Sequence, residues 1–145
     1  MKVKIKRIDK ELPLPQYQTA GAVAFDLYAR EDVKIEPGET TAVPANVIVC
    51  VPEGYFFMVA ARSSLAKKKG LMLSNSVGVI DQDYCGPDDE VNLLLYNFKN
   101  EPCHINRGER LAQGIFVKID KANWEEMEEM EQPTRGGIGS TKGYN

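Results

Sequence analysis

The chain has 145 residues, a formal net charge of −3 at pH 7 and a pI near 5.3. Without a basic surplus, sequence-independent binding to a nucleic-acid polymer is disfavoured, whereas a small anionic ligand remains possible. No stretch approaches the ~20 apolar residues that span a bilayer, and the N-terminal MKVKIKRIDK has no apolar run typical of a leader. The length fits one domain. The lack of a long apolar stretch predicts that the protein does not bind a membrane.

The cysteines, Cys50, Cys85 and Cys103, are odd in number and show neither a CxxC spacing nor a neighbouring histidine cluster. A disulfide framework and a zinc site are therefore both disfavoured. Free thiols in a soluble, cytoplasmic protein are the better interpretation.

Short segments that are rich in β-branched residues or alternate apolar with polar residues recur along the chain and predict strands. In chain order they are residues 2–8, 46–51, 55–61, 91–97 and 111–119. Turn clusters rich in Gly, Pro, Asn and Asp separate them. Helix is possible at 63–69, and at 124–131 the pattern leaves helix and strand open. Many short strands with few helical windows predict an all-β sandwich or barrel.

The C-terminal stretch RGGIGSTKGYN has four glycines and no apolar pattern. Such a segment cannot bury enough surface to fold alone, which predicts a mobile tail. We therefore expect a β domain at 1–133 and a flexible tail at 134–145. Glycine-rich backbone can also wrap around phosphates, although a plain flexible terminus is the simpler interpretation.

The segment GVIDQDYCG at 78–86 contains two carboxylates, Asp81 and Asp83, one residue apart. If the segment is extended, both side chains leave the same face and influence each other's ionisation, so that one could hold a water molecule. Two ordinary turn acids are the commoner alternative. Tyr84 beside them could pack on a sugar or base, or could fill a core.

Several other polar side chains are candidates for ligand binding, each with a structural alternative. The amide of Asn75 could match a pyrimidine edge or cap a turn. Arg62, Ser63 and Ser64 follow an apolar strand and could receive phosphate oxygens. Gln113 could point inward toward a ligand or be a buried structural amide.

Five short motifs, taken in order, resemble those of the homotrimeric all-β dUTPase family (deoxyuridine 5'-triphosphate nucleotidohydrolases), which hydrolyses dUTP to dUMP and pyrophosphate. They are AFDLYA (24–29), ARSSLA (61–66), GVIDQDYCG (78–86), RGERLAQ (107–113) and RGGIGST (135–141). With the lead-in PLPQYQTAGA, the match spans nearly the whole chain. The resemblance implies a jelly-roll-like β-barrel subunit, a homotrimer with shared active sites, and a tail that closes the site.

The resemblance also implies roles for individual residues. Asp81 would deprotonate the water that attacks the α-phosphorus. Asn75 would recognise uracil, and Tyr84 would pack under the deoxyribose and exclude a 2′-hydroxyl. Phosphates would be bound by Arg62, Ser63, Ser64 and Gln113. Mg²⁺ would be held chiefly by phosphates and waters, with Asp26 the nearest acid and acting through water.

In the tail, the resemblance implies that a neighbouring subunit supplies the closing segment. Ser140 and Thr141 would meet phosphates, and Arg135 would approach the γ-phosphate. The chain departs from the usual pattern here, because the spacing after Arg135 is contracted and Ile138 replaces the usual phenylalanine. An isoleucine side chain can cover a base but has no π-face to stack on it, which predicts a weaker lid. An insertion at 87–89 predicts a longer turn and an intact site.

Two further function classes stay open beside dUTP hydrolysis. A dCTP deaminase-like enzyme of the same superfamily would use a glutamate, for which Glu90 is the candidate. A non-catalytic nucleotide-sensing module would keep the fold without the chemistry. The combination of Asp81, Tyr84 and Gln113 disfavours the sensor, because a sensor does not need a base for the attacking water.

Overall fold

The computed structural model describes residues 1–137, which form antiparallel strands and one short helix, α1 (Leu65–Lys69). That helix is far too short to cross a membrane, and no other helix of the described residues could do so. The strands are β1 (Lys4–Arg7), β2 (Phe25–Tyr28), β3 (Val33–Ile35), β4 (Thr40–Pro44), β5 (Val47–Cys50), β6 (Tyr55–Ala61), β7 (Leu71–Leu73), β8 (Gly78–Ile80), β9 (Asn92–Asn97), β10 (Cys103–Ile105) and β11 (Arg110–Lys118). The predicted all-β class is confirmed.

The strands form two larger sheets, ordered β2-β11-β6-β8 and β4-β9-β7, and two strand pairs, β1-β5 and β3-β10. Every pairing is antiparallel, and the inward faces share one apolar cluster. Leu27, Phe57, Leu93 and Leu95 in this cluster are fully buried. The core therefore joins the two larger sheets.

The longest ladder joins β6 to β11, from the pair Ala61 and Ala112 to the pair Tyr55 and Lys118. Gly114 lies in its middle, where a Cβ would be 2.4 Å from Cζ of Phe57. The missing side chain lets the Phe57 ring lie against the β11 backbone, where it packs parallel to Phe25 with ring centroids 5.7 Å apart. This close packing fixes the ladder against the core.

Each predicted strand overlaps an observed one, and 55–61 coincides with β6. The pattern missed β2, β3, β4, β7, β8 and β10, which have three to five residues each. Two-residue alternation hardly shows in so short a segment. Helix α1 lies within the predicted 63–69 and ends at Gly70, whose φ of 68° is left-handed.

Residues 124–131 form neither helix nor strand. Their apolar side chains have no core to enter, since Trp124 is 93% exposed and Met127 and Met130 are also exposed. The apolar residues of this segment therefore do not pack against the rest of the chain.

Candidate active site

Strand register brings three predicted site residues to one face of the β2-β11-β6 sheet. Gln113 on β11 lies opposite Asp26 on β2 and opposite Ala60 on β6. Arg62 follows Ala60 by two residues, and side chains two residues apart share a face of the strand. Asp26, Arg62 and Gln113 therefore converge at one end of the sheet.

Asp26 is only 2% exposed, and two guanidinium groups compensate its charge. Arg62 Nε lies 3.0 Å from Oδ1, and Arg110 Nη1 donates a hydrogen bond of 3.0 Å to Oδ2. The two arginine side chains remain partly exposed. A buried carboxylate thus holds two cationic groups at the surface, which is an arrangement suited to an anionic ligand.

Arg110 is a functional candidate that the sequence analysis missed. The register between β2 and β11 shifts between Arg110 and Ala112, which is a β-bulge at Leu111. An extra residue in one strand reverses which side chains share a face, and here it turns Arg110 toward Asp26. The available signal was a second arginine inside RGERLAQ, but nothing local predicts a bulge there.

One atom of this cluster lacks a hydrogen bond. Asp26 Oδ1 is buried and accepts none from the described residues, because the Nε–H of Arg62 is close but not aligned with it. A buried acceptor without a donor is costly unless another group, such as water, supplies one. Direct metal coordination does not suit this carboxylate, since the two arginines already occupy its surroundings, whereas contact through a water does.

A cleft of 310 Å³ separates α1 from the turn between β10 and β11, and positive charge dominates its lining. The lining includes Arg62, Arg110 and Lys68, together with Ser64. Ser64 precedes α1 and makes no capping hydrogen bond with its side chain, so its hydroxyl is uncommitted. Ser63 beside it is exposed.

The amide of Gln113 is half-buried and forms no hydrogen bond with any side chain or backbone group of residues 1–137. A structural amide at this depth would normally have partners within the fold. Its donor and acceptor are therefore free for a ligand that lies on the arginine side of the sheet.

The segment GVIDQDYCG is not extended at its two carboxylates, so the condition for a shared strand face is not met and the alternative of turn acids describes their position. Strand β8 ends at Ile80, and Asp81 and Asp83 belong to the turn that follows. Both are exposed and line a cleft of 330 Å³ together with Lys121. Gln82 between them donates a 2.9 Å hydrogen bond to the Tyr55 carbonyl, which anchors the turn at the start of β6.

The ring of Tyr84 is 39% exposed, while its hydroxyl donates to the Glu90 carbonyl at 3.3 Å. The inserted residues 87–89 close a compact turn, because the Gly86 N–H donates to Asp89 Oδ2 at 2.6 Å. That these residues lengthen the turn relative to the family stays a prediction. The face of the Tyr84 ring remains available for packing.

Asn75 is exposed in the turn between β7 and β8. This turn does not close a β-hairpin. Strand β7 pairs with β9, whereas β8 pairs with β6. The strands on either side of residues 78–86 are β7 and β9, and they therefore belong to a different sheet from β8. The turn that carries Asn75 instead crosses from one sheet to the other.

The acidic turn and the arginine cluster lie at opposite ends of β6. Ile80 pairs with Phe57 near the start of that strand, and Arg62 follows five residues later. At about 3.3 Å per residue, the separation along the strand is roughly 17 Å. A single chain therefore does not bring Asp81 to Arg62 or Gln113.

The remaining predicted residues belong to the C-terminal segment. Arg135 is exposed and has no regular secondary structure. Ile138, Ser140 and Thr141 lie outside the described residues.

Glu90 has a structural role. Its carboxylate accepts hydrogen bonds from Arg30 Nε at 2.9 Å and from the Asn46 N–H at 2.8 Å. The hydrogen bond that Arg30 donates to Glu90 raises the pKa of Arg30 above its ordinary value, with nearby acidic charge adding to the effect. A carboxylate committed to two such partners is poorly placed to transfer protons to a ligand.

No group of three or more His, Cys, Asp or Glu side chains that could hold a metal ion occurs within residues 1–137. A metal ion at this site would thus need most of its ligands from a bound molecule and water, as Mg²⁺ commonly does with nucleotides.

Comparison with known proteins identifies close relatives. The dUTPase family profile matches residues 10–142. A deoxyuridine 5'-triphosphate nucleotidohydrolase of Dictyoglomus turgidum is 42% identical over 147 residues, which cover 97% of this chain and 98% of the relative. A protein of the same name from Corynebacterium glutamicum is 40% identical over 142 residues, covering 96% and 93% of the two chains.

Solved structures show the same architecture. The crystal structure of dUTPase from Streptococcus mutans aligns with a TM-score of 0.76 and 31% identity, covering 83% of this chain and 98% of that one. A Staphylococcus bacteriophage 80alpha dUTPase aligns with a TM-score of 0.84 over 97% of this chain and 98% of that one. At 22% identity, the second similarity concerns the fold alone.

We expect Asp26→Asn to lower the free energy of unfolding by about 1–3 kcal/mol, because an amide cannot compensate two guanidinium charges at the edge of the core. Partial exposure of both arginines limits the loss. Urea unfolding at one fixed protein concentration measures it. Asp120→Asn is the matched control, since Asp120 is exposed. Equal unfolding midpoints for the two variants would contradict a charge-compensating role for Asp26.

Proposed function

This chain belongs to the dUTPase family, and on that premise we propose that it hydrolyses dUTP to dUMP and pyrophosphate. The observation that carries the proposal is the arginine pair held by buried Asp26, next to the free amide of Gln113. These groups suit a phosphate chain. The exposed carboxylate of Asp81 supplies a base, and a second subunit has to bring the two parts together.

Phosphate binding follows from the donors in the arginine cleft. Arg62 and Arg110 present planar guanidinium groups, which pair with phosphate oxygens through two parallel hydrogen bonds. The hydroxyls of Ser63 and Ser64 and the amide N–H of Gln113 add uncharged donors. Asp26 acts through the arginines, because its carboxylate keeps their orientation fixed before the nucleotide arrives.

Asp81 is the proposed general base. Its carboxylate is exposed and accepts no side-chain or backbone hydrogen bond from the described residues, so it is free to contact a water. It takes one proton from that water as the oxygen attacks the α-phosphorus. The bond to the bridging oxygen then breaks, and pyrophosphate leaves. A positioned base of this type contributes typically ~10²–10⁴ in rate.

Substrate selection is assigned to the turns at either end of β8. The Asn75 amide offers a donor and an acceptor for the edge of uracil, and its exposed position leaves both free. The Tyr84 ring is fixed by its hydroxyl and offers a flat face to the deoxyribose. A ring held so close leaves no room for a 2′-hydroxyl. Once the bound nucleotide covers the Asn75 amide, its N–H donor facing the cytosine amino group would reject dCTP.

Mg²⁺ is the proposed cofactor. The unpartnered Oδ1 of Asp26 fits a hydrogen bond from a water bound to the ion, and direct coordination by that carboxylate does not fit. The ion would neutralise charge on the leaving pyrophosphate. In this proposal Asp26 therefore contacts both arginines and one water molecule.

We assign the enzyme to a homotrimer whose active sites are shared between chains. Asp81 lies roughly 17 Å along β6 from the phosphate-binding end, and a base must approach within about 3 Å of the proton that it removes. Association also accounts for large apolar side chains that one chain leaves in water, such as Met72, Leu94 and Trp124.

Free thiols suit a cytoplasmic location.

The tail at 134–145 is proposed to close over a nucleotide bound to other chains, while residues 1–133 form the β domain. Arg135 would approach the γ-phosphate, Ser140 and Thr141 would meet phosphates, and Ile138 would cover the base. Closure of this kind excludes water and strengthens the charge interactions inside the site. Isoleucine in place of an aromatic residue makes this lid weaker.

The structure favours dUTP hydrolysis over the two alternatives. In a dCTP deaminase-like enzyme, Glu90 would have to exchange protons with a ligand, yet its carboxylate is bound to Arg30 and Asn46. A sensor would not need the free carboxylate of Asp81.

Substrate profiling tests the proposal directly. With Mg²⁺ present, we expect pyrophosphate release from dUTP and none above background from dCTP, dTTP or UTP. Ammonia release from dCTP is measured in parallel and should be absent. Ammonia from dCTP would replace the proposal with a deaminase, and binding of dUTP without any turnover would replace it with a sensor.

Asp81→Asn should lower the turnover of dUTP by about 10²–10⁴ without loss of folding or nucleotide binding, because the amide keeps the size of the carboxylate but cannot accept the proton. Pyrophosphate release measures turnover, and calorimetry with dUMP measures binding. Asp83→Asn is the matched control from the same exposed turn and should change turnover little. The assignment fails if Asp81→Asn retains turnover or if both variants lose it equally.

Removal of residues 134–145 should leave a folded trimer that hydrolyses dUTP poorly. Co-expression of this truncated chain with the Asp81→Asn chain should restore turnover above the sum of the two parents. Mixed trimers contain sites in which the truncated chain supplies Asp81 and the other chain supplies the tail. Turnover of purified mixed trimers is the measurement, and no recovery would mean that one chain supplies both parts.

A further inference from the structure

Two cysteines that are distant in the sequence line the same small cavity. Cys50 ends β5, and Cys85 follows Tyr84 in the turn after β8. Both are half-buried free thiols on the wall of a cavity of 210 Å³, which Ile48 and Pro87 also line. The third cysteine, Cys103, is buried on β10 and does not line this cavity. The fold therefore creates one thiol pair and leaves one thiol apart.

Cys85 Sγ donates a weak hydrogen bond to the Gln82 carbonyl at 3.9 Å, and its ionisation also responds to the neighbouring Cys50. Side-chain hydrogen bonding with Cys50 raises the pKa of Cys85 above its ordinary value, and burial and the charges of Asp89 and Asp83 raise it further. Because only the thiolate attacks a disulfide, Cys85 reacts slowly near neutral pH. The reaction of Cys85 with an oxidant should accelerate as the pH rises above about 8.5, which is the pKa of an ordinary thiol.

We propose that Cys50 and Cys85 form a redox modification site, which a low-molecular-weight disulfide such as oxidised glutathione converts into one intramolecular disulfide. One thiolate attacks a glutathione sulfur and releases the first reduced glutathione. The second cysteine then attacks the mixed disulfide and releases another. Two S–H bonds are lost and one S–S bond forms, while the two electrons and two protons pass to glutathione.

The cross-link has a mechanical consequence for the neighbouring turn. Cys85 adjoins Tyr84 and lies four residues after Asp81, and the disulfide would tie this turn to β5. Strand β5 pairs with β1 and has its middle residues in the core, so it is a rigid attachment point. Oxidation therefore restricts the turn that carries the proposed base and sugar-packing ring. This part of the inference rests on the proposed function.

Peptide mapping tests the pair, because trypsin places the three cysteines in separate peptides. Cys50 falls in 35–62, Cys85 in 70–99 and Cys103 in 100–107. The full-length protein is treated with oxidised glutathione between pH 7 and 9, alkylated and digested without reductant. We expect 35–62 joined to 70–99 at about 2 Da below the summed masses of the two reduced peptides, with Cys103 alkylated. No joined peptide at any pH would overturn the proposal.

Two variants control for other thiol chemistry. Cys50→Ser should give no joined peptide, whereas Cys103→Ala should give the same one as the parent. Non-reducing electrophoresis separates a disulfide within one chain from one between chains. A cross-link that appears only in covalently joined chains would contradict an intramolecular pair.

Turnover of dUTP is then measured before oxidation, after oxidation and after dithiothreitol. We expect at least a several-fold loss in the oxidised protein, recovery on reduction, and no oxidant effect in Cys50→Ser. If the disulfide forms completely and dUTP hydrolysis is unchanged, the disulfide does not restrict the turn that carries Asp81 and Tyr84, and this part of the inference is overturned. The mapping does not depend on catalysis, so an error in the proposed function shows as absent turnover in the reduced protein while the joined peptide still forms.

Discussion

The β6–β11 ladder is the constraint on which the rest of the structure depends. It fixes Arg62 at one end of the sheet and the turn after β8 at the other, with Gly114 and Phe57 packed in its middle. A strand cannot shorten this distance by local motion, because each residue adds about 3.3 Å. Chemistry that needs both ends would therefore have to be assembled between chains, as in the proposed homotrimer.

A buried charge organises the arginine end of the sheet. Burial of Asp26 alone would be costly, and the arginines that offset this cost also become oriented toward solvent. The bulge at Leu111 is needed for this arrangement, since it turns Arg110 to the same face. Charge compensation within the fold and the proposed phosphate binding thus use the same pair of guanidinium groups, and Asp26 Oδ1 remains available to accept a hydrogen bond from water.

The all-β class and the longer strands could be predicted from local pattern, because β6 and β11 are long enough to show strand composition. The five motifs predicted the family. Contacts between distant residues could not be predicted in this way: Arg110 lies 84 residues from Asp26, and its orientation depends on a bulge. The pairing of Cys50 with Cys85 likewise arises only when β5 and the turn after β8 fold against each other.

Trp124 is the single tryptophan of the chain, and in one subunit 93% of its surface is in water. Indole emission depends on the polarity of its surroundings, so all tryptophan fluorescence of this protein originates from one extended segment outside the β core. The chain consequently carries an intrinsic optical probe of any contact that covers this segment. A partner chain that covered this segment would shift the emission to shorter wavelength, while the strands themselves contribute no tryptophan signal.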